Sequence, residues 1–143
     1  MYSSEPDLAE VVREAYGDLR LQHGADEANR IAVGNFLARL EPSLVYAVAG
    51  EGTVRVHRGR DEVETLLEDA AQDWQSCEFR LDWVETLEED RIVAAGTCEA
   101  RPPGGEPERF EFTAVWTFRE GKAERIYTFP GRERTPGKAA TLL

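Results

Sequence analysis

The chain has 143 residues, of which 41% are hydrophobic and 31% charged, and its formal net charge is −11. This length suits one domain that buries roughly 70% of its unfolded surface, so neither a metal nor a disulfide is required to hold it together. The acidity sets the average field against a phosphate backbone and excludes nucleic acid as an expected partner, and no apolar run reaches the roughly 18 residues of a membrane span.

Met1 to Asp7 shows neither a basic nor an apolar leader segment, so a cytoplasmic location is expected. The only cysteines are Cys77 and Cys98. Without a second cluster of Cys and His they make no metal site, and no cofactor is expected.

From about Asp7 to Gln22, the residues Leu8, Val11, Val12, Ala15, Tyr16 and Leu19 share one helical face. His23-Gly24 ends that helix. A second helix is expected from about Asp26 to Leu40, weakened by Gly34 and closed by Pro42. Leu44 to Ala49 and Thr53 to His57 read as two short strands around Glu51-Gly52. Asp61 then stands three residues before Glu64, a capping-box spacing, and opens a third helix. Its apolar face holds Val63, Leu66, Leu67, Ala70, Ala71 and Trp74.

After Gln75 the apolar period changes from 3.6 to 2. Phe79, Leu81 and Trp83 alternate with Arg80 and Asp82, and Glu88-Glu89-Asp90 makes a turn. Arg91 to Arg101 forms the next strand, broken by Pro102-Pro103-Gly104-Gly105. Phe110, Phe112, Ala114, Trp116 and Phe118 point one way along the strand that follows. Glu120-Gly121 turns the chain into a last strand, Ala123 to Phe129. The pattern is an α+β fold: N-terminal helices packed on a strongly curved antiparallel sheet.

A two-residue turn at Glu89-Asp90 would set Trp83 opposite Gly96 and Leu81 opposite Cys98, with Cys77 opposite Pro102. The cysteines are then expected as two separate free thiols. The Pro-Gly loop suggests Ala94 opposite Trp116 and Cys98 opposite Phe112. One sheet face collects Phe79, Leu81, Trp83, Ile92, Ala94, Gly96, Cys98, Phe110, Phe112, Ala114 and Trp116. Small residues ringed by aromatics suit either a hollow or a core filled by helix side chains. The other face carries Val93, Ala95 and Val115 among threonines and charges.

Val56-His57-Arg58-Gly59-Arg60-Asp61-Glu62-Val63 and Ala114-Val115-Trp116-Thr117-Phe118-Arg119-Glu120-Gly121-Lys122, in this order of elements, resemble the nuclear transport factor 2-like superfamily in its SnoaL-like branch. The resemblance implies a cone-like half-barrel over a central pocket, with residues 1–134 as the domain and 135–143 as a flexible tail. It also implies either a small-molecule binder or an enzyme of the ketosteroid isomerase, polyketide cyclase or hydrolase kind. Many such enzymes keep a His where this chain has Ala114, and an Asp after the last strand, where it reads Phe129-Pro130-Gly131.

With those positions empty, the expected function is binding of a small apolar or aromatic molecule. Tyr46, Trp74, Phe79, Trp83, Gly96, Cys98, Phe112, Ala114 and Trp116 are expected to line the pocket. His57 and Tyr127 are the candidates for proton handling, although a bulge at Gly121 would flip the face of Tyr127. Asp82 and Glu99 belong to the outer face, and Arg58 and Arg60 pair with the acidic start of the third helix. The alternatives are an enzyme using His57 or a tyrosine, and a dimerisation module with a filled core. A homodimer through the outer sheet face is also expected.

Overall fold

The computed structural model of the chain describes residues 7–50 and 52–131. The expected tail, 135–143, and the end of the proposed domain lie outside them. Asp7 caps helix α1 (Leu8–Asp18) by accepting the backbone N–H groups of Ala9 and Glu10, which satisfies donors that no helical carbonyl can reach. The helix stops short of Gln22, because Arg20–Gln22 is a strand, β1. Helix α2 (Asp26–Leu37) leads into β2 (Leu40–Gly50), then β3 (Thr53–Arg58) and helix α3 (Gly59–Asp73). Helix α3 starts before the cap expected at Asp61: Arg58 is its N-cap, without a side-chain capping bond, and the Arg58 backbone N–H donates to Glu62 Oε1 at 2.8 Å. Four long strands follow: β4 (Ser76–Glu88), β5 (Arg91–Arg101), β6 (Glu108–Arg119) and β7 (Lys122–Pro130). Glu120 and Gly121 both take positive φ, 52° and 82°, in the last hairpin, as a tight two-residue turn demands.

Among the described residues, seven strands form one curled sheet in the order β1-β4-β5-β6-β7-β2-β3, a half-barrel under the three helices. The sheet is mixed, because β2 runs parallel to β7. Helix α1 lies on β4 and β5, while α3 lies on β2 and β3 and reaches β1 and β4. The core is the space between, filled by Val12, Tyr16, Leu19, Phe36, Leu40, Leu44, Ile92, Trp116 and Ile126, each 3% exposed or less.

The β4–β5 register departs from expectation in a way that moves side chains. The turn pairs Glu88 with Arg91, but shifts follow between Thr86 and Glu88 and again between Leu81 and Trp83. Each shift gives β4 one residue more than β5, namely Leu87 and Asp82. Such a bulge reverses the faces beyond it. Leu81 therefore pairs with Gly96, Phe79 with Cys98 and Cys77 with Ala100. Trp83 leaves the inner face and packs on the outer one with Val93, Val115, Phe129, Ala49 and Tyr127.

Three further expectations change. In β5–β6, Ala94 pairs with Ala114 and Cys98 with Phe110, a slip of two residues that preserves the faces. Val93, Ala95 and Val115, expected to lie bare on the outer face, are 0–2% exposed within the single chain, because the Trp83 and Phe129 rings belong to the same cluster. Cys77 and Cys98 are free thiols but are not apart: their sulfurs lie 3.5 Å from one another.

Candidate functional site

Along the inner face, burial falls off toward one end of the sheet. Ile92, Ala94, Ala114 and Trp116 are closed off from solvent, Cys98 is partly exposed, and Phe110 opposite it is 45% exposed. Trp74, the residue that caps α3, meets Phe110 edge-on at 6.2 Å. The interior therefore opens near the C-terminal end of β5 and the N-terminal end of β6.

The closed end is filled from the helix side. Tyr16 of α1 stands among Phe36, Phe79, Phe112 and Trp116, with ring centroids 5.5–6.2 Å away. Its hydroxyl accepts a hydrogen bond from Trp116 Nε1 at 3.0 Å. A tyrosine can be buried so deeply because its one polar atom finds a partner inside. Beside Ala114 the inner face carries a polar side chain. Thr128 of β7 pairs with Ala114 and with Val48, placing its side chain on the inner face. Thr128 Oγ1 is buried and makes no well-formed hydrogen bond, with the Tyr16 and Tyr46 hydroxyls as its nearest polar partners.

Burial pushes the pKa of both tyrosines up, and each remains a neutral phenol at ordinary pH. They can donate hydrogen bonds but are poor bases. Among the described residues, no cluster of three or more His, Cys, Asp or Glu is placed to hold a metal, and no helix is long and apolar enough to cross a membrane.

The remaining sequence candidates fall into three groups. Tyr46, Phe79, Cys98, Phe112, Ala114 and Trp116 all face the core. Gly96 is pressed under β4: a Cβ there would run into the Arg80 carbonyl oxygen and lie 2.9 Å from Leu81 Cα. It is a point of backbone contact, with no hollow over it. Trp83 and Tyr127 face outward. His57 touches the Tyr46 ring at a centroid distance of 6.3 Å and lines a groove of about 450 Å³ between β3 and α3, with Arg55, Asp61, Glu62 and Asp69. Asp82 sits at the β4 bulge, in a separate groove of about 320 Å³ with Arg13. Glu99 is held on the outside by Arg109 at 2.9 Å. Gly131 ends β7, and its carbonyl accepts from Thr113 Oγ1 at 2.8 Å.

Tyr16 entered the sequence reading only as part of a helical stripe, and Thr128 did not enter it at all. A threonine between two aromatics on a strand of undetermined face carries little signal. Only the register shows that it points inward.

Residues 23–126 match the profile of the SnoaL-like domain. The chain belongs to the SnoaL-like family. Its fold is shared with a nuclear transport factor 2-like protein of unknown function from Burkholderia pseudomallei (20% identity, 96% of this chain and 98% of that one, TM-score 0.69). It is shared too with TerC, crystallised with polyporic acid (17% identity, 95% and 96%, TM-score 0.68). A candidate polyketide cyclase from Xanthomonas campestris is similar over 85% of this SnoaL-like chain and 88% of its own (16% identity, TM-score 0.65). No curated protein matches.

Proposed function

We propose that this SnoaL-like protein binds a small apolar or aromatic molecule carrying one carbonyl or phenolic oxygen. The molecule enters at the open end of the cone, between α3 and the inner face. Its ring rests on Phe79, Cys98 and Phe110, and its oxygen meets Tyr46 and Thr128. The observation that carries this reading is Thr128 Oγ1, a buried oxygen without a well-formed hydrogen bond, set beside the Tyr16 and Tyr46 hydroxyls. Such an atom costs about 1–3 kcal/mol unless something satisfies it. A ligand oxygen between two neutral tyrosine donors and this hydroxyl would do so. A fold relative, TerC, was crystallised with polyporic acid, which supports the idea that this architecture accepts organic molecules.

Binding is favoured over acid–base catalysis because the groups at this point are phenols and a hydroxyl, while His57, which stands beside Tyr46, lies in the open groove between β3 and α3. Calorimetric titration with 2-naphthol tests the reading. One-to-one saturable binding, weakened about fivefold by Tyr46→Phe or Thr128→Val, is the expected result. Binding that neither substitution changes, or no saturable binding, would overturn it.

We propose in addition that two copies pair through the outer face. Val54 and Val56 there are 54% and 45% exposed, on the strand beside Ala47 and Ala49, and Trp83 and Tyr127 are partly exposed next to them. A second copy would cover this stripe.

A further inference from the structure

Cys77 and Cys98 stand on neighbouring antiparallel strands, on the same inner face, one step apart along the ladder: Cys77 pairs with Ala100 and Phe79 with Cys98. The bulges at Leu87 and Asp82 together set this register, because they slide Cys77 two residues back toward Cys98 and keep it on the inner face. The two sulfurs are 3.5 Å apart, with one S–H directed at the other sulfur. That is van der Waals contact between thiols, so closing to a bond needs side-chain rotation and a small approach of the two strands across their diagonal. Cys77 is 8% exposed and Cys98 partly exposed, so a small oxidant reaches the pair from the open end of the cone.

We infer that Cys77 and Cys98 form a reversible oxidation site that hydroperoxides convert to an intramolecular disulfide. The shared hydrogen bond lowers the pKa of Cys77, and it raises that of Cys98 together with burial. The Cys77 thiolate attacks one peroxide oxygen. The O–O bond breaks, the departing oxygen leaves as water or an alcohol after taking up a proton, and Cys77 becomes a sulfenic acid. Cys98 then attacks the Cys77 sulfur as its own S–H proton is lost, and the S–O bond breaks with release of water. In sum, two thiols and one hydroperoxide give one disulfide, one water and one alcohol or second water. Sulfur is oxidised by two electrons and peroxide oxygen is reduced by two.

The bond would tie β4 to β5 where β1 joins the sheet, since Leu21 of β1 pairs with Cys77. It would also reshape the wall near Tyr46, a neighbour of Cys98. The inference does not depend on whether the cone takes a ligand.

The test is intact-mass and peptide analysis of the full chain after treatment with stoichiometric hydrogen peroxide. The folded protein is expected to lose about 2 Da and both free thiols, to yield a Cys77–Cys98 linked peptide, and to recover on reduction. Cys77→Ser and Cys98→Ser should each prevent the loss, and Cys98→Ser should leave a sulfenic acid on Cys77 that dimedone traps. Phenylarsine oxide should crosslink the parent thiols at one equivalent and bind neither variant tightly. A parent that gains oxygen on each thiol separately, links only between molecules, or does not react would overturn the inference. So would formation of the bond at the same rate in urea, since proximity would then owe nothing to the fold.

Discussion

Replacing Tyr16 by Phe removes one oxygen from the middle of the protein and leaves everything else in place. The ring keeps its four aromatic neighbours, at centroid distances of 5.5–6.2 Å, so no cavity opens. What is lost is the acceptor for Trp116 Nε1, now at 3.0 Å. Trp116 is 0% exposed, so water cannot take its place. A buried donor left without a partner costs about 1–3 kcal/mol, and the Tyr16→Phe protein should be less stable by that amount. Thermal midpoints should fall by about 2–4 °C for each kcal/mol in a chain of this size. Urea denaturation followed by tryptophan fluorescence measures the difference, with an unchanged m-value showing that the folded state is intact. A variant equal to or more stable than the parent would refute the claim that this hydrogen bond holds the closed end of the cone.

Gly96→Ala should destabilise the fold by about 1–3 kcal/mol, because the new methyl meets the Arg80 backbone. Gly34→Ala should instead stabilise it by about 0.5–1 kcal/mol, since that exposed mid-helix site has open space; urea midpoints check both. The raised pKa of Tyr16 and Tyr46 ties stability to pH. The folded state holds its phenol protons longer than the unfolded state, so this contribution is present below pH about 10 and is lost as pH rises above it; denaturation midpoints between pH 8 and 11 should fall accordingly, less so for a Tyr16→Phe, Tyr46→Phe double variant. Light scattering should find a dimer that added salt tightens, by screening the −11 charge, and that Val54→Glu with Val56→Glu dissociates.

How much of this was readable from the chain differs by element. The alternation of Phe110, Phe112, Ala114, Trp116 and Phe118 fixes the β6 inner face, and the register agrees. The turn at Glu120-Gly121 was legible because it answers a local requirement of the backbone, whereas the cap expected at Asp61 was not, since α3 begins two residues earlier, at Gly59. The bulges at Leu87 and Asp82 were not, since one unpaired residue leaves no mark in an alternating pattern. That single miss carried Trp83 to the wrong face and kept Cys77 and Cys98 apart. The candidate site was less legible still. Tyr16, Tyr46 and Thr128 come from α1, β2 and β7, so only the curl of the sheet brings them together.

The most direct test of the central claim is a crystal structure of the protein soaked with 2-naphthol. The account predicts the naphthol in the open end of the cone, its oxygen within hydrogen-bonding distance of Thr128 Oγ1 and the Tyr46 hydroxyl. Naphthol bound only in the outer grooves beside His57 or Asp82, with Thr128 unchanged, would contradict it.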